Sequence, residues 1–426
     1  MRDSGGAVVR KIPEIGVAVV SSTDANFKSR ASRASGVQSV VPNIKVSWLD
    51  PVENVAVNPA EVGNPPNSGS ADFFFDLQWG HDAVDAPEAW AAGALGDGVR
   101  VAVLDDGIDS DHPDIAPNLN VGLSTSFVPN ETYEYDSGIP GDPFSHGTHV
   151  SGTIAAAQNS FGTIGVAPEA ELVMVKVLSS ATGSGSFEGV AAGIVYAANI
   201  DADVINMSLG ATLPRRGVCE TDPDTGEQIC ITAREVTELT NMLGRATRYA
   251  FQQGTTIIAS AGNDANDGNK DKDLLHLPSD SPHVLSISAL GPLGWGVDPN
   301  TNLDEQAFYT NFGTSVIDFS GPGGNIDFDL LESSQGCTVS GLARPCFVFD
   351  LVFSTGSAGG FYWSAGTSMS APHVSGVAAI IIGDNGGSMK PSQVERELRA
   401  SADDLGKPGK DFLHGHGRVN AGNAVQ

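Results

Sequence analysis

Val99-Arg-Val-Ala-Val-Leu104 runs straight into Asp105-Asp-Gly-Ile-Asp109, and the reading of the whole chain turns on this junction. The first six residues form a β-branched, nearly continuous apolar run of strand length. The next five hold three aspartates and a glycine that lets the chain turn. A strand apolar on both faces belongs in a parallel sheet covered on both sides by helices. Similar runs recur at 170–178, 204–208, 255–260 and 284–288, with helical stretches at 189–200 and 233–253 between them. This alternation predicts an α/β fold with a mostly parallel central sheet and helices on both faces. Ligands in such sheets sit at the carboxyl ends of the strands, which is where the polar clusters of this chain fall.

The rest of the sequence frames that domain. Its 426 residues, 40% hydrophobic and 17% charged, can bury a substantial core. Residues 1–50 carry a net charge of +3 and the remainder -31. So acidic a surface repels nucleic acid and anionic membranes, and no apolar run approaches the ~18 residues of a membrane span. Three parts are expected: a small α+β leader over 1–50, an exposed linker over 51–75 rich in Pro, Asn, Ser and Gly, and a large domain over 76–426. The leader reads as a strand at 16–20, a helix within 24–35 and a strand at 37–41.

Cysteines fall in two close pairs, Cys219/Cys230 and Cys337/Cys346, each in a polar, turn-rich stretch. They read as local disulfide staples on surface loops, which implies an extracellular protein. Met1-Arg2-Asp3-Ser4-Gly5 opens without the apolar segment of a secretion signal.

Three clusters carry chemistry. Asp105 ends a strand; crowding by Asp106, Asp109, Asp111 and Asp114 leaves a metal loop as the alternative. His146, in Ser145-His146-Gly-Thr-His149, opens a small-residue helix, with a His146/His149 metal pair as its alternative. Ser368, in Ser364-Ala-Gly-Thr-Ser368-Met-Ser-Ala-Pro372, lies at a helix start, with Pro372 expected in the first turn. Alone, Ser368 could be a helix cap, and Ser370 competes with it as a nucleophile. Serine needs a base, histidine titrates near neutrality, and an Asp can fix the imidazole. Asp105, His146 and Ser368 supply all three in the order Asp, His, Ser. Ile258-Ala-Ser-Ala-Gly-Asn263 adds an amide at a strand end, suited to stabilising an oxyanion.

Together with Asn206-Met-Ser-Leu-Gly210, these motifs resemble the subtilisin-like serine proteases (subtilases) from about Gln78 to Val425. The resemblance implies a secreted, monomeric endopeptidase acting on protein or peptide substrates. Its triad would be Asp105, His146 and Ser368, with Asn263 as oxyanion donor. It also implies two peptide-binding edges, Gly183-Ser184-Gly185 and Ser208-Leu209-Gly210, and a pocket wall at Ser260-Ala261-Gly262. His276, in Leu275-His-Leu-Pro278, would lie at the floor of that pocket. A calcium loop is implied, with ligands from Asn159, the carbonyls of Ala157, Phe161 and Thr163, and the Asp114 carboxylate; no organic cofactor is. The leader would be a propeptide that chaperones and inhibits the enzyme until cleavage somewhere in 48–76. Asp106 departs from the Ser or Thr of many members. An inactive binding scaffold and a peptide ligase or cyclase are the rival functions on this fold.

Overall fold

The computed structural model describes residues 5–49, 54–57, 71–136, 138, 144–222 and 226–426. The leader holds β1 (Ala7–Ile12), β2 (Val17–Ser21), α1 (Phe27–Ala31) and β3 (Lys45–Ser47), and β4 (Asn54–Val57) follows. The large domain opens with α2 (Trp79–Ala83), α3 (Ala86–Ala91), β5 (Arg100–Asp105), β6 (Thr125–Ser126) and α4 (His146–Ala155). Next come β7 (Glu171–Lys176), β8 (Ser184–Ser186), α5 (Phe187–Asn199), β9 (Val204–Met207), β10 (Ala211–Pro214), β11 (Gly217–Thr221) and β12 (Gln228–Thr232). Then α6 (Ala233–Gln253), β13 (Thr256–Ser260), β14 (Leu274–Leu277), β15 (Val284–Leu290), β16 (Phe319–Pro322) and α7 (Phe328–Ser333). The chain closes with β17 (Gly336–Val339), β18 (Leu342–Pro345), β19 (Val352–Thr355), β20 (Phe361–Ser364), α8 (Thr367–Asp384), α9 (Pro391–Ser401) and α10 (Ala421–Ala424).

Seven strands form one sheet in the order β16-β15-β13-β9-β5-β7-β6, and every adjacent pair is parallel. β5 shows why its sequence is apolar throughout. Val101 and Val103 point into a core shared with α4 and α8, while Ala102 and Leu104 point into the core shared with α5 and α6. Period-two alternation thus feeds two hydrophobic layers, and all four side chains are fully buried.

Both cysteine pairs are disulfide-bonded, Cys219 to Cys230 and Cys337 to Cys346, but their settings differ. Cys219 and Cys230 sit directly opposite each other in the β11–β12 hairpin, as a local staple should. Cys346 corrects the expectation of a surface loop, because it is fully buried. It opens a short 3-10 turn, Cys346–Asp350, whose Phe347, Val348 and Phe349 pack in an apolar cluster with Trp363. Burial of that apolar run draws the cysteine before it inward. Its partner Cys337, on β17, stays half-buried, so this bond ties the β17–β18 hairpin down onto the core.

The leader departs from its expected layout. It is a β1–β2 hairpin with a helix of only five residues, and residues 37–41 form no strand. A strand needs a partner edge, but β1 and β2 use each other. Val37 to Pro42 instead line a cavity of about 590 Å³ beside α6. Strand structure resumes at β3, which finds its partner in β8 of the large domain. Apolar packing of Ile12 and Ile15 holds the hairpin on α5 and α6. Ion pairs Arg10–Glu188 and Lys28–Glu235 join the basic leader to the acidic domain.

The expected exposed linker is also only partly one. Asn54–Val57 is a strand paired with β20, and Phe74 and Phe75 are buried. Residues 50–53 and 58–70, where much of the expected processing region falls, lie outside the described residues.

Candidate active site

The carboxyl end of β5 places Asp105, which is fully buried. Ser145 caps α4 by accepting a hydrogen bond from the Thr148 N–H, so His146 becomes the first helical residue. Its Nδ1 lies 2.9 and 3.0 Å from the two Asp105 carboxylate oxygens. A carboxylate only accepts, so Nδ1 carries the proton and Nε2 is left as a base. Burial pulls the His146 pKa down, but the charge and hydrogen bond of Asp105, aided by Asp106, outweigh it and hold it above its ordinary value.

Ser368 is the second residue of α8, and it lines the same cleft of about 360 Å³ as His146. Its hydroxyl donates to the Ser208 carbonyl at 3.2 Å, while the Ser208 hydroxyl donates back to the Ser368 carbonyl at 2.7 Å. The Ser368 hydroxyl is thus hydrogen-bonded to Ser208 and not to His146.

Pro372 corrects the expected helix start. α8 begins at Thr367, so the proline lies in its second turn. Proline has no N–H to give the carbonyl four residues back, that of Ser368. The Ser208 hydroxyl satisfies that carbonyl instead. Ser370, the rival nucleophile, is fully buried, with its hydroxyl 2.7 and 2.8 Å from the carbonyls of Ser288 and Gly321.

Asn263 follows β13. Its Oδ1 accepts the Thr367 N–H at 2.9 Å and the Thr367 hydroxyl at 2.8 Å. A backbone N–H can only donate, which fixes the amide's orientation and turns the Nδ2 donors the other way. Thr367 was not singled out from the sequence; a small hydroxyl residue directly before the serine was the available signal. The Asp106 carboxylate, also overlooked as a structural group, accepts the Gly147 N–H at 2.8 Å and lines the cleft. Burial, then the neighbouring Asp105 charge, pushes its pKa up to about 7.

The rival metal pair does not assemble. His149 is buried, with Nε2 3.2 and 3.1 Å from the carbonyls of Val352 and Tyr362, and burial lowers its pKa to about 3.

Both expected peptide-binding edges flank the leader. β3 pairs antiparallel with β8, so Val46 lies opposite Gly185 and Ser47 opposite Ser184. The Trp48 N–H donates to the Gly183 carbonyl at 3.2 Å, and the Gly210 N–H donates to the Trp48 carbonyl at 2.9 Å. Leu209 and Ser208 continue that second edge, and the Ser260 hydroxyl reaches the Leu209 carbonyl at 3.4 Å. Ala261 and Gly262 carry β13 on toward Asn263; the Gly262 N–H donates to the Thr367 hydroxyl at 3.1 Å. His276 Nδ1 lies 3.0 Å from the Thr212 hydroxyl, across the β10–β14 pair.

In the loop expected to hold calcium, two fully buried carboxylates meet residues 157–163. Asp114 accepts from the Thr163 N–H at 2.8 Å and from Asn159 Nδ2 at 3.2 Å. Asp72, not among the expected ligands, accepts the N–H groups of Asn159 and Ser160 at 3.0 and 2.8 Å. Burial pushes the Asp114 pKa up to about 7, and the Asp72 charge adds to the rise. Two buried carboxylates beside a loop of oxygen donors fit a hard divalent cation, whose charge would reverse that rise.

The electrostatics around His146 make a prediction. A base must be neutral to accept a proton, so activity is lost as pH falls through its pKa. Because that pKa is raised, the acid limb of kcat/KM is expected above pH 6.5. Asp106→Asn keeps an oxygen for the Gly147 N–H but removes a carboxylate that is partly ionised across that range and raises the His146 pKa, so the limb should move to lower pH. A pH–rate profile of both proteins checks this, and a limb that does not move would count against the Asp106 contribution.

A buried carboxylate–imidazole pair and a serine at a helix start, all at the carboxyl edge of a parallel sheet, define a serine-hydrolase class of site. The Subtilase family profile matches residues 96–417. Subtilisin NAT of Bacillus subtilis subsp. natto is 33% identical over 350 residues, covering 82% of this chain and 71% of that relative. The subtilisin of Bacillus pumilus is 33% identical over 350 residues, covering 82% of this chain and 99% of that protein. Among solved structures, the epidermin leader peptide processing serine protease of Staphylococcus aureus shares the fold, with a TM-score of 0.76 at 22% identity, covering 100% of this chain and 93% of that one. A lanthipeptide protease has a TM-score of 0.63 at 27% identity, covering 85% of this chain and 99% of that one. The chain belongs to the subtilase family of serine endopeptidases.

Proposed function

We propose that the chain is a secreted endopeptidase that cuts peptide bonds through an acyl-enzyme on Ser368, and that its first substrate is its own chain between Leu49 and Asn54. One observation carries the second half. The cleft that holds His146 and Ser368 is lined by Ser47 and Leu49, which precede the proposed cut, and by Asn54, which follows it. Residues on both sides of the proposed cut thus share the cleft of the nucleophile, which supports reading this segment as a substrate.

His146 Nε2 takes the Ser368 hydroxyl proton as the oxygen attacks the scissile carbonyl carbon. Negative charge on the carbonyl oxygen is met by Asn263 Nδ2 and by the Ser368 N–H, one of the unpaired donors at the start of α8. Collapse breaks the C–N bond as His146 returns the proton to the leaving amine. Water, deprotonated by the same imidazole, then releases the acyl group and restores Ser368. Asp105 holds the imidazole in the required tautomer throughout. Residues 5–49 act as the inhibitory propeptide, pairing with both substrate edges. The two disulfides support an extracellular setting. Mass spectrometry of the incubated protein tests the reading: a single new N-terminus within residues 50–54 is expected, and a chain that stays intact would remove it.

Calcium is proposed as a structural ion bound by Asp114, Asn159 and the carbonyls of Ala157, Phe161 and Thr163. Asp72 adds a second carboxylate to the site. A ligand at about a thousand times its Kd stabilises by roughly 4 kcal/mol, or about 5 °C at an unfolding entropy of ~2 cal/mol/K per residue in a domain of about 350 residues. Saturating calcium should raise the melting temperature by that order against a chelator, and Asp114→Asn should abolish the difference. An unchanged melting temperature would dismiss the site.

A further inference from the structure

Beyond the triad, the sheet β19-β20-β4 is built from segments far apart in sequence, and β4 covers the outer edge of β20. β20 ends at Ser364, shortly before Ser368, so its edge runs out from the nucleophile. β4 pairs with it antiparallel, matching Asn54 with Ser364, Val55 with Trp363, Ala56 with Tyr362 and Val57 with Phe361. The Ser364 hydroxyl donates to Asn54 Oδ1 at 2.7 Å. Val57 is 4% exposed and sits in an apolar cluster with Phe74, Leu77, Phe361 and Trp363. Backbone pairing plus one anchored apolar side chain is how an extended peptide binds a sheet edge.

Chain direction assigns the side. β3 comes before the proposed cut and occupies the acyl side; β4 comes after it and lies on the leaving-group side. We infer that the edge of β20 is a docking strand for substrate residues following the cut, and that Asn54–Val57 stays on it after self-cleavage. This rests on the proposed cut between Leu49 and Asn54. β4 remains covalently joined to the catalytic domain through residues 58–70. A tethered segment competes at high effective concentration, so the cleaved enzyme is hindered on its leaving-group side even when the leader has gone.

Substrate length separates this hindrance from any general effect. A short substrate with a p-nitroaniline leaving group places nothing on β20, whereas a quenched fluorescent peptide with four residues after the same cut must displace β4. Cleaved wild-type protein, freed of leader, is compared with Val57→Asp, which puts a charge into the apolar cluster. Ala56→Pro is the second variant; Ala56 is exposed, so proline disrupts the strand without opening the core. Both variants are expected to raise kcat/KM on the extended peptide at least tenfold while leaving the p-nitroanilide rate within twofold. Equal ratios of extended to short activity in Ala56→Pro and wild type would overturn the docking strand. If wild-type protein cleaves neither substrate, the peptidase reading falls and takes this inference with it.

Discussion

Ser368→Ala is expected to lower kcat for peptide hydrolysis by about 10⁶-fold, the size of loss known for the nucleophile of subtilisin, a relative of this chain. The physical case lies in what remains. His146 keeps its contact with Asp105 but has no hydroxyl to deprotonate. Ser370 cannot substitute, because its hydroxyl is buried against the carbonyls of Ser288 and Gly321. Ser208 is equally committed, since its hydroxyl holds the carbonyl that Pro372 leaves unpaired. The variant should also remain a single uncut chain, because self-cleavage needs the same oxygen. Only one hydrogen bond, to the Ser208 carbonyl, is lost, worth ~1 kcal/mol, so the fold should persist. Labelling by a fluorophosphonate, intact mass and melting temperature read the three consequences separately. Residual activity above about 1% of wild type would place the nucleophile elsewhere.

What the sequence could reveal followed from how local the cause was. β5 was legible because an apolar run buried on both faces leaves a continuous signature, and Val101 to Leu104 do feed two cores. His146 and Ser368 were legible because each opens a helix from a polar stretch. The leader was not. Val37 to Val41 have strand composition but no free edge to pair with, and nothing in those residues states that β1 and β2 use each other. β4 was hidden for the converse reason: a short Asn-Val-Ala-Val segment inside a turn-rich stretch becomes a strand only because β20 offers an edge far along the chain. The pairing of Cys337 with Cys346 was legible from their spacing, but the burial of Cys346 depends on where Phe347 to Phe349 find apolar partners. Asp72 likewise gains meaning only once the 157–163 loop folds over it.

Asn263→Ala is expected to reduce kcat by about 10²–10³, a loss of ~3–4 kcal/mol known for the corresponding subtilisin amide. KM should change little, because in the proposed mechanism the amide meets charge that exists only in the transition state. The size depends on pre-organisation, and Thr367 supplies it. Its N–H and hydroxyl both hold Asn263 Oδ1, while that hydroxyl also accepts the Gly262 N–H. The amide therefore cannot flip without losing two hydrogen bonds and facing its own donors toward the Thr367 N–H. Asn263→Asp separates polarity from shape: it keeps an oxygen for Thr367 but replaces the donor by a second acceptor, so it should be at least as damaging as alanine. Thr367→Val removes the hydroxyl and keeps the N–H, and a loss of about tenfold in kcat is expected, at unchanged KM and with the acid limb of the pH profile unmoved. A KM effect in Thr367→Val as large as its kcat effect would mean that the threonine shapes substrate binding instead of aiming Asn263. Loss of both parameters together with melting temperature would mark it as a purely structural residue.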